Sequence, residues 1–176
     1  MELSDVPRGL PLVAGLTGFA DAGGAVSQVN KYVFETLETQ RVGTFANDLL
    51  IDYRARRPIF HFEETSLTSY EPPRLSLDLV SDELGTKFLF LSGYEPDFRW
   101  EQVSDTVLDL IDDLAVESSS WVHAIPMPVP HTRSVGVTVS GNREDITDAL
   151  SVWRPTTSVP GTLMHLIEYR LQETGH

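Results

Sequence analysis

Three segments of unusual composition each follow directly on a short apolar run: residues 17–24 (TGFADAGG), 93–100 (GYEPDFRW) and 126–133 (PMPVPHTR). In an open parallel sheet, ligands sit outside the carboxyl ends of the strands. The three loops are therefore expected to converge on one edge and to bring together Asp21, Glu95, Asp97, Arg99, His131 and Arg133. Those residue types could run acid–base chemistry on a small anion. Arg99 and Arg133 would hold it, His131 would act as acid or base, and Asp21 or Asp97 would orient the imidazole. The same types also build ion-pair networks that only fix loops, and that structural reading carries the greater weight.

Residues 52–57 (DYRARR) form the one cationic cluster of the chain. Arg54, Arg56 and Arg57 could grip a carboxylate or phosphate bidentately, or could simply compensate neighbouring acids. The turn TGFADAGG could cradle an anion at a helix start. It lacks the Lys-Ser/Thr ending of a Walker A loop, and Gly15 and Gly18 do not begin a G-x-G-x-x-G fingerprint. None of His61, His123, His131, His165 and His176 lies in an H-E-x-x-H pair, so no metal site is expected. There is no cysteine and no G-x-S-x-G elbow. No reaction is specified, and no cofactor is expected.

The elements that must position these loops follow from periodicity. Residues 10–16 read as a strand, and Val26, Val29, Val33 and Leu37 then recur at helical spacing, with Asp21 as N-cap. Residues 41–46 and 49–51 look like strand segments. Residues 59–62 and 74–80 are expected to pair as an antiparallel insertion, the loop between them holding Pro72 and Pro73. Residues 87–91 (KFLFL) suit a strand buried on both faces. Val103, Val107, Leu110, Ile111 and Leu114 then line one face of a helix whose other face carries Glu101, Asp105, Asp109, Asp112, Asp113 and Glu117. Residues 121–125 and 134–140 read as strands, and 145–153 and 160–171 as helices, with Gly175 as a stop.

Strands alternating with helices predict one α/β domain over residues 1–176. It has three α/β/α layers, a mostly parallel central sheet with right-handed crossovers, and the antiparallel insertion. A chain of 176 residues buries roughly 70% of its unfolded surface, enough for one core. With 13 basic and 26 acidic residues the net charge is −13, which argues against nucleic acid and against anionic membranes as partners. Residues 1–11 lack the pattern of a secretory signal, and the apolar window 10–20 is broken by Pro11, Gly15 and Gly18. A cytoplasmic location is expected.

Residues 12–23, 52–58, 93–100 and 128–133 together resemble the proteasome assembly chaperone 2 family, in its actinobacterial branch, and 159–161 with the following helix extends the likeness. The resemblance implies an α/β/α core similar to purine nucleoside phosphorylases and related hydrolases. It also implies a role in protein assembly, since eukaryotic and archaeal relatives bind proteasome α-subunits. Similar actinobacterial proteins continue beyond the position of His176, so this sequence is expected to be a shortened form or to lack a C-terminal segment.

Two functions are therefore carried forward. One is a non-catalytic interaction protein that binds other subunits, such as proteasome α-subunits, or itself as a homo-oligomer. The acidic helix face and the Arg54–Arg57 cluster would then attract each other between copies. The other is a small-molecule enzyme of hydrolase, phosphorylase or ligase type, working from the carboxyl-edge loops.

Overall fold

Apolar runs with few charges can be buried on both faces only in the middle of a sheet, and that is where two of them lie. In the computed structural model, which describes residues 2–151, 154 and 156–175, β1 (Leu12–Thr17) and β6 (Lys87–Tyr94) are central neighbours. The five-stranded sheet has the order β2-β5-β6-β1-β7, where β2 is Glu38–Thr44, β5 Leu75–Ser81 and β7 Ser119–Trp121. β1 runs parallel to β6 and β7, while β5 is antiparallel to β6 and β2, so β5 alone opposes the common direction.

The strand alternation sorts the core into two layers. Leu12, Leu77, Leu79, Leu89 and Leu91 meet Val107 and Ile111 of α3 (Trp100–Asp113) and Leu163 and Ile167 of α5 (Leu163–Thr174). Val80 and Phe90 point the other way, onto Val33 of α1 (Ala25–Thr36), with Val13 and Leu37 beside them. The result is a three-layer α/β/α fold. On α3 the acids near the start find their cation on another helix. Arg170 of α5 pairs with Glu101 and lies 2.5 Å from Asp105.

The structure corrects several expectations. Residues 59–62 do not pair with 74–80. β3 (Ile59–Glu63) pairs with β4 (Ser66–Glu71) in a separate two-stranded sheet, and β5 joins the central one. Ser76 and Asp78, on the other face of β5 from Leu75, Leu77 and Leu79, are buried as well, because Asp78 is matched by Arg41 of β2 at 2.5 Å and accepts the Ser76 hydroxyl at 3.0 Å. Instead of a strand at 49–51, the helical turn α2 (Asn47–Leu50) sits there. Residues 134–140 alternate as a strand should, but belong to none of the described strands.

The helix α4 (Glu144–Leu150) is shorter than expected, and the end expected at 152–153 falls outside the described residues. α5 starts at Leu163, after Pro160, because Thr162 caps it. Its hydroxyl accepts the His165 N–H at 3.3 Å, and His165 Nδ1 accepts the Thr162 N–H at 3.1 Å. That is a capping box with histidine in the place usually held by Glu or Gln. Gly175, at φ +81°, ends the helix as expected.

Candidate functional site

The carboxyl ends of β1 and β6 lie side by side, Thr17 opposite Tyr94. After β1, Gly23 and Gly24 adopt φ of +67° and +66°, which turns the chain back over Asp21. The Asp21 carboxylate accepts the Val26 N–H at 2.8 Å, the Ser27 N–H at 3.0 Å and the Ser27 hydroxyl at 2.6 Å. The Ser27 hydroxyl foremost, with those two amides, holds the Asp21 pKa below its ordinary value. The anion seated at the start of α1 is thus a side chain of the protein itself. The Ala22 N–H also donates to Ala124 O at 3.0 Å, which ties this turn to the segment leaving β7.

The loop after β6 is fixed just as firmly. Glu95 donates its N–H to Thr17 O at 2.8 Å, and its carboxylate accepts the Leu163 N–H at 2.7 Å, joining the sheet to the first turn of α5. Gly18 makes room for it, since a Cβ there would lie 2.6 Å from Glu95 Cβ. Asp97 accepts the Asp52 N–H at 2.8 Å and Arg56 Nη2 at 2.7 Å. The Arg56 guanidinium lies 5.5 Å from the centre of the Tyr94 ring, and Tyr94 donates its hydroxyl to Asn47 Oδ1 at 2.7 Å. Burial pushes the Tyr94 phenol up to about 12. The motifs DYRARR and GYEPDFRW therefore lock each other through Arg56 and Asp97.

The remaining predicted residues stand apart. Arg99 stands at the N-cap position just before α3, at φ +61°, and donates to Gln102 Oε1 at 3.0 Å. Arg54, His131 and Arg133 are exposed. Among the described residues, no hydrogen bond or ion pair joins the side chains of Arg54, Arg99, His131 or Arg133 to Asp21, Glu95 or Asp97.

A histidine pair, which sequence reasoning passed over, occupies this edge. His123 stacks on Trp121, with ring centres 5.8 Å apart, and meets His165 edge-on at 6.1 Å. Trp121 Nε1 donates to Glu168 Oε2 at 2.8 Å. His123 Nε2 is buried without a hydrogen-bond partner. It faces a recess lined by Gly18, Phe19, Glu95, Thr162 and Met164, with room for about one water molecule. Two signals for this group were present. Trp121 and His123 share a strand-like i, i+2 spacing, and Thr162-x-x-His165 has capping-box spacing. Among the described residues no group of three or more His, Asp or Glu is placed to hold a metal ion.

Burial first, and then the neighbouring His165, lower the His123 pKa below the ordinary 6.5, while Glu95 and Asp21 oppose the shift. The folded chain then binds fewer protons than the unfolded one. The stability tied to His123 is present above pH 6.5 and is lost as pH falls below it toward the folded pKa. Thermal melts between pH 7.5 and 5.5 should show a decline that flattens in His123→Gln. Parallel decline in both proteins would assign the acid sensitivity to other groups.

A model of the PAC2 family matches residues 15–176. A comparison with curated proteins finds no match. Among solved structures, a Corynebacterium glutamicum protein of unknown function is 38% identical with a TM-score of 0.88, over 97% of this chain and 64% of that one. A Mycobacterium tuberculosis protein of unknown function is also 38% identical, with a TM-score of 0.89, over 96% of this chain and 59% of that one. The chain thus spans less than two thirds of the length of either relative. A Mycobacterium tuberculosis proteasome-assembly chaperone homologue shares the fold at 19% identity and a TM-score of 0.82, over 94% of this chain and 71% of that one. No helix among the described residues is long and apolar enough to cross a membrane.

Proposed function

The chain belongs to the PAC2 family, and from that premise we propose that it is a non-catalytic assembly factor of the cytoplasm, docking on other protein subunits. The observation that carries this reading is a run of exposed apolar side chains beyond β7. Val122, Ile125, Met127, Val129, Val135 and Val137 all face solvent, Val135 at 87% exposure. Exposed apolar side chains recurring along one segment supply what a docking surface for another protein needs. A solved relative described as a proteasome-assembly chaperone homologue makes proteasome α-subunits the first partner to test.

The carboxyl edge supports the same side of the choice. Asp21, Glu95 and Asp97 each commit their carboxylates to backbone N–H groups of the chain, which leaves them poor candidates for orienting a catalytic imidazole. Reading His131, Arg99 and Arg133 as a small-molecule site would require all three to swing toward those acids.

The test is co-elution with actinobacterial proteasome α-subunits on size exclusion at micromolar concentration. The wild-type chain should shift into the complex, and Met127→Asp with Val129→Asp should weaken binding at least about tenfold, as loss of two buried apolar contacts requires. Absence of any wild-type complex would set the proteasome reading aside.

A further inference from the structure

The recess beside His123 holds a buried acid with no cation of its own. Glu95 is 8% exposed, and none of the ion pairs among the described residues reaches it. One carboxylate oxygen, Oε1, accepts the Leu163 N–H, while Oε2 carries no hydrogen bond among those residues. It lies against Gly18, where an added Cβ would come within 2.7 Å of it. His123 Nε2, buried and unpartnered, belongs to a side chain that lines the same recess. Burial foremost holds this imidazole below its ordinary 6.5, so at pH 7.5 it is neutral. With its one proton placed on Nδ1, Nε2 presents a lone pair. A carboxylate oxygen and an imidazole lone pair, both unpaired and largely shut off from water, call for a donor that is also a cation.

Shape and charge narrow the choice of cation. The recess has room for about one water molecule, which a compact ammonium matches and a broad, planar guanidinium does not. Leu16, Trp121 and Met164 supply apolar wall. Phe19 and Val122 line it too, and at 61% and 43% exposure they mark where it opens at the surface. An ammonium on a flexible alkyl stem suits both parts, the stem lying over Phe19 and Val122 while the head reaches Glu95. Val122 is also the first side chain of the exposed apolar run beyond β7, so the recess is continuous with that surface. A net charge of −13 draws basic partners toward it.

We propose, resting on the reading of the chain as a docking protein, that this recess receives the ammonium group of a lysine side chain carried by the partner, with Glu95 Oε2 and His123 Nε2 as its acceptors. The lysine is an anchor, and no covalent bond is made or broken. A single anchored side chain binds weakly by itself and gains from the apolar contacts around it. Its contribution is selectivity, since a partner lacking a lysine at this point leaves Glu95 buried without a counter-charge.

Methyl labelling of methionine gives a direct readout, because Met164 lines the recess. At pH 7.5, titration of the purified protein with Nα-acetyl-lysine methylamide should shift the Met164 methyl signal and saturate in the millimolar range. The norleucine counterpart has no ammonium and the arginine counterpart is too broad, so each should bind at least about tenfold more weakly. Butylammonium should bind comparably to the lysine derivative. Glu95→Gln removes the charge and should weaken lysine binding at least about tenfold. His123→Phe removes the second acceptor, keeps a ring against Trp121 and buries no unpaired polar atom, so it folds and should weaken binding about fivefold. No Met164 shift with the lysine derivative, equal binding of the norleucine or arginine derivative, binding of butylammonium alone, or unchanged affinity in either folded variant would each overturn the proposal. No assembly partner is present in this titration, so its failure leaves proteasome co-elution standing, and failure of that co-elution leaves the titration readable.

Discussion

Replacing Gly93 with alanine should destabilise the protein severely, consuming a large part of its margin of stability. Gly93 sits near the end of β6 with φ at +131°, a conformation that L side chains rarely adopt. An added Cβ would lie 1.9 Å from Arg74 O and 2.8 Å from Leu75 Cα, and both atoms are backbone. Neither can rotate aside, since Gly93 opposes Leu75 across the β5–β6 ladder and Leu75 is fully buried. The ladder must open or the loop beyond it must move. Either outcome costs upward of about 4 kcal/mol, the range of severe single substitutions. A typical domain has only about 5–15 kcal/mol in hand. Gly43 is the control, because a Cβ there meets nothing within 4 Å and its φ is not positive. Gly43→Ala should stay within about 1 kcal/mol of wild type in urea melts. Comparable melts for the two variants would refute the account of Gly93.

The second large effect is expected at Glu95, which is 8% exposed. Glu95→Ala removes the acceptor for the Leu163 N–H and leaves that donor buried in the first turn of α5, where Leu163 is fully enclosed. A charge-assisted bond of this kind is worth about 1.5–3 kcal/mol, and truncation also opens a cavity beside Gly18. A total loss of about 2–4 kcal/mol follows. Glu95→Gln keeps an acceptor and should lose less. The discriminating measurement is amide exchange along Leu163–Thr174, which should speed up in the alanine variant more than exchange in α1. Unchanged protection of α5 would show that its apolar face alone holds it down.

These two positions show where the sequence was legible. The apolar spacing of Val103, Val107, Ile111 and Leu114 forecast α3, and KFLFL forecast a central strand, because both patterns are local. The loops of the candidate site were also found, but their partners were misjudged. Asp97 answers to the Asp52 backbone amide, which leaves no trace in residue type, whereas Asp21 fills the capping role read for it, toward the Val26 and Ser27 amides. β5 reads as half of a hairpin because Leu75, Leu77 and Leu79 alternate, and that local pattern carries no sign that Arg41, 37 positions earlier, neutralises Asp78 inside the fold. Residues 134–140 alternate well, yet alternation describes only which way side chains point and cannot supply an edge to pair with. His123 and His165 meet only once α5 docks, so their proximity was hidden by chain separation.

The central place of β1 also sets an order of events. The strand emerges early, but its ladder partners lie at residues 89–94 on one side and 119–121 on the other. Contacts this distant in sequence close slowly, because the intervening chain must first be gathered in. β5 and β6, by contrast, are joined by a short turn and can zip antiparallel almost as soon as they exist. During synthesis, residues 12–16 therefore wait as a bare apolar segment until more than half the chain has followed. A protein proposed to attend the assembly of others would itself pass through an interval of exposure to aggregation, which ends when β6 and β7 close on either side of its first strand.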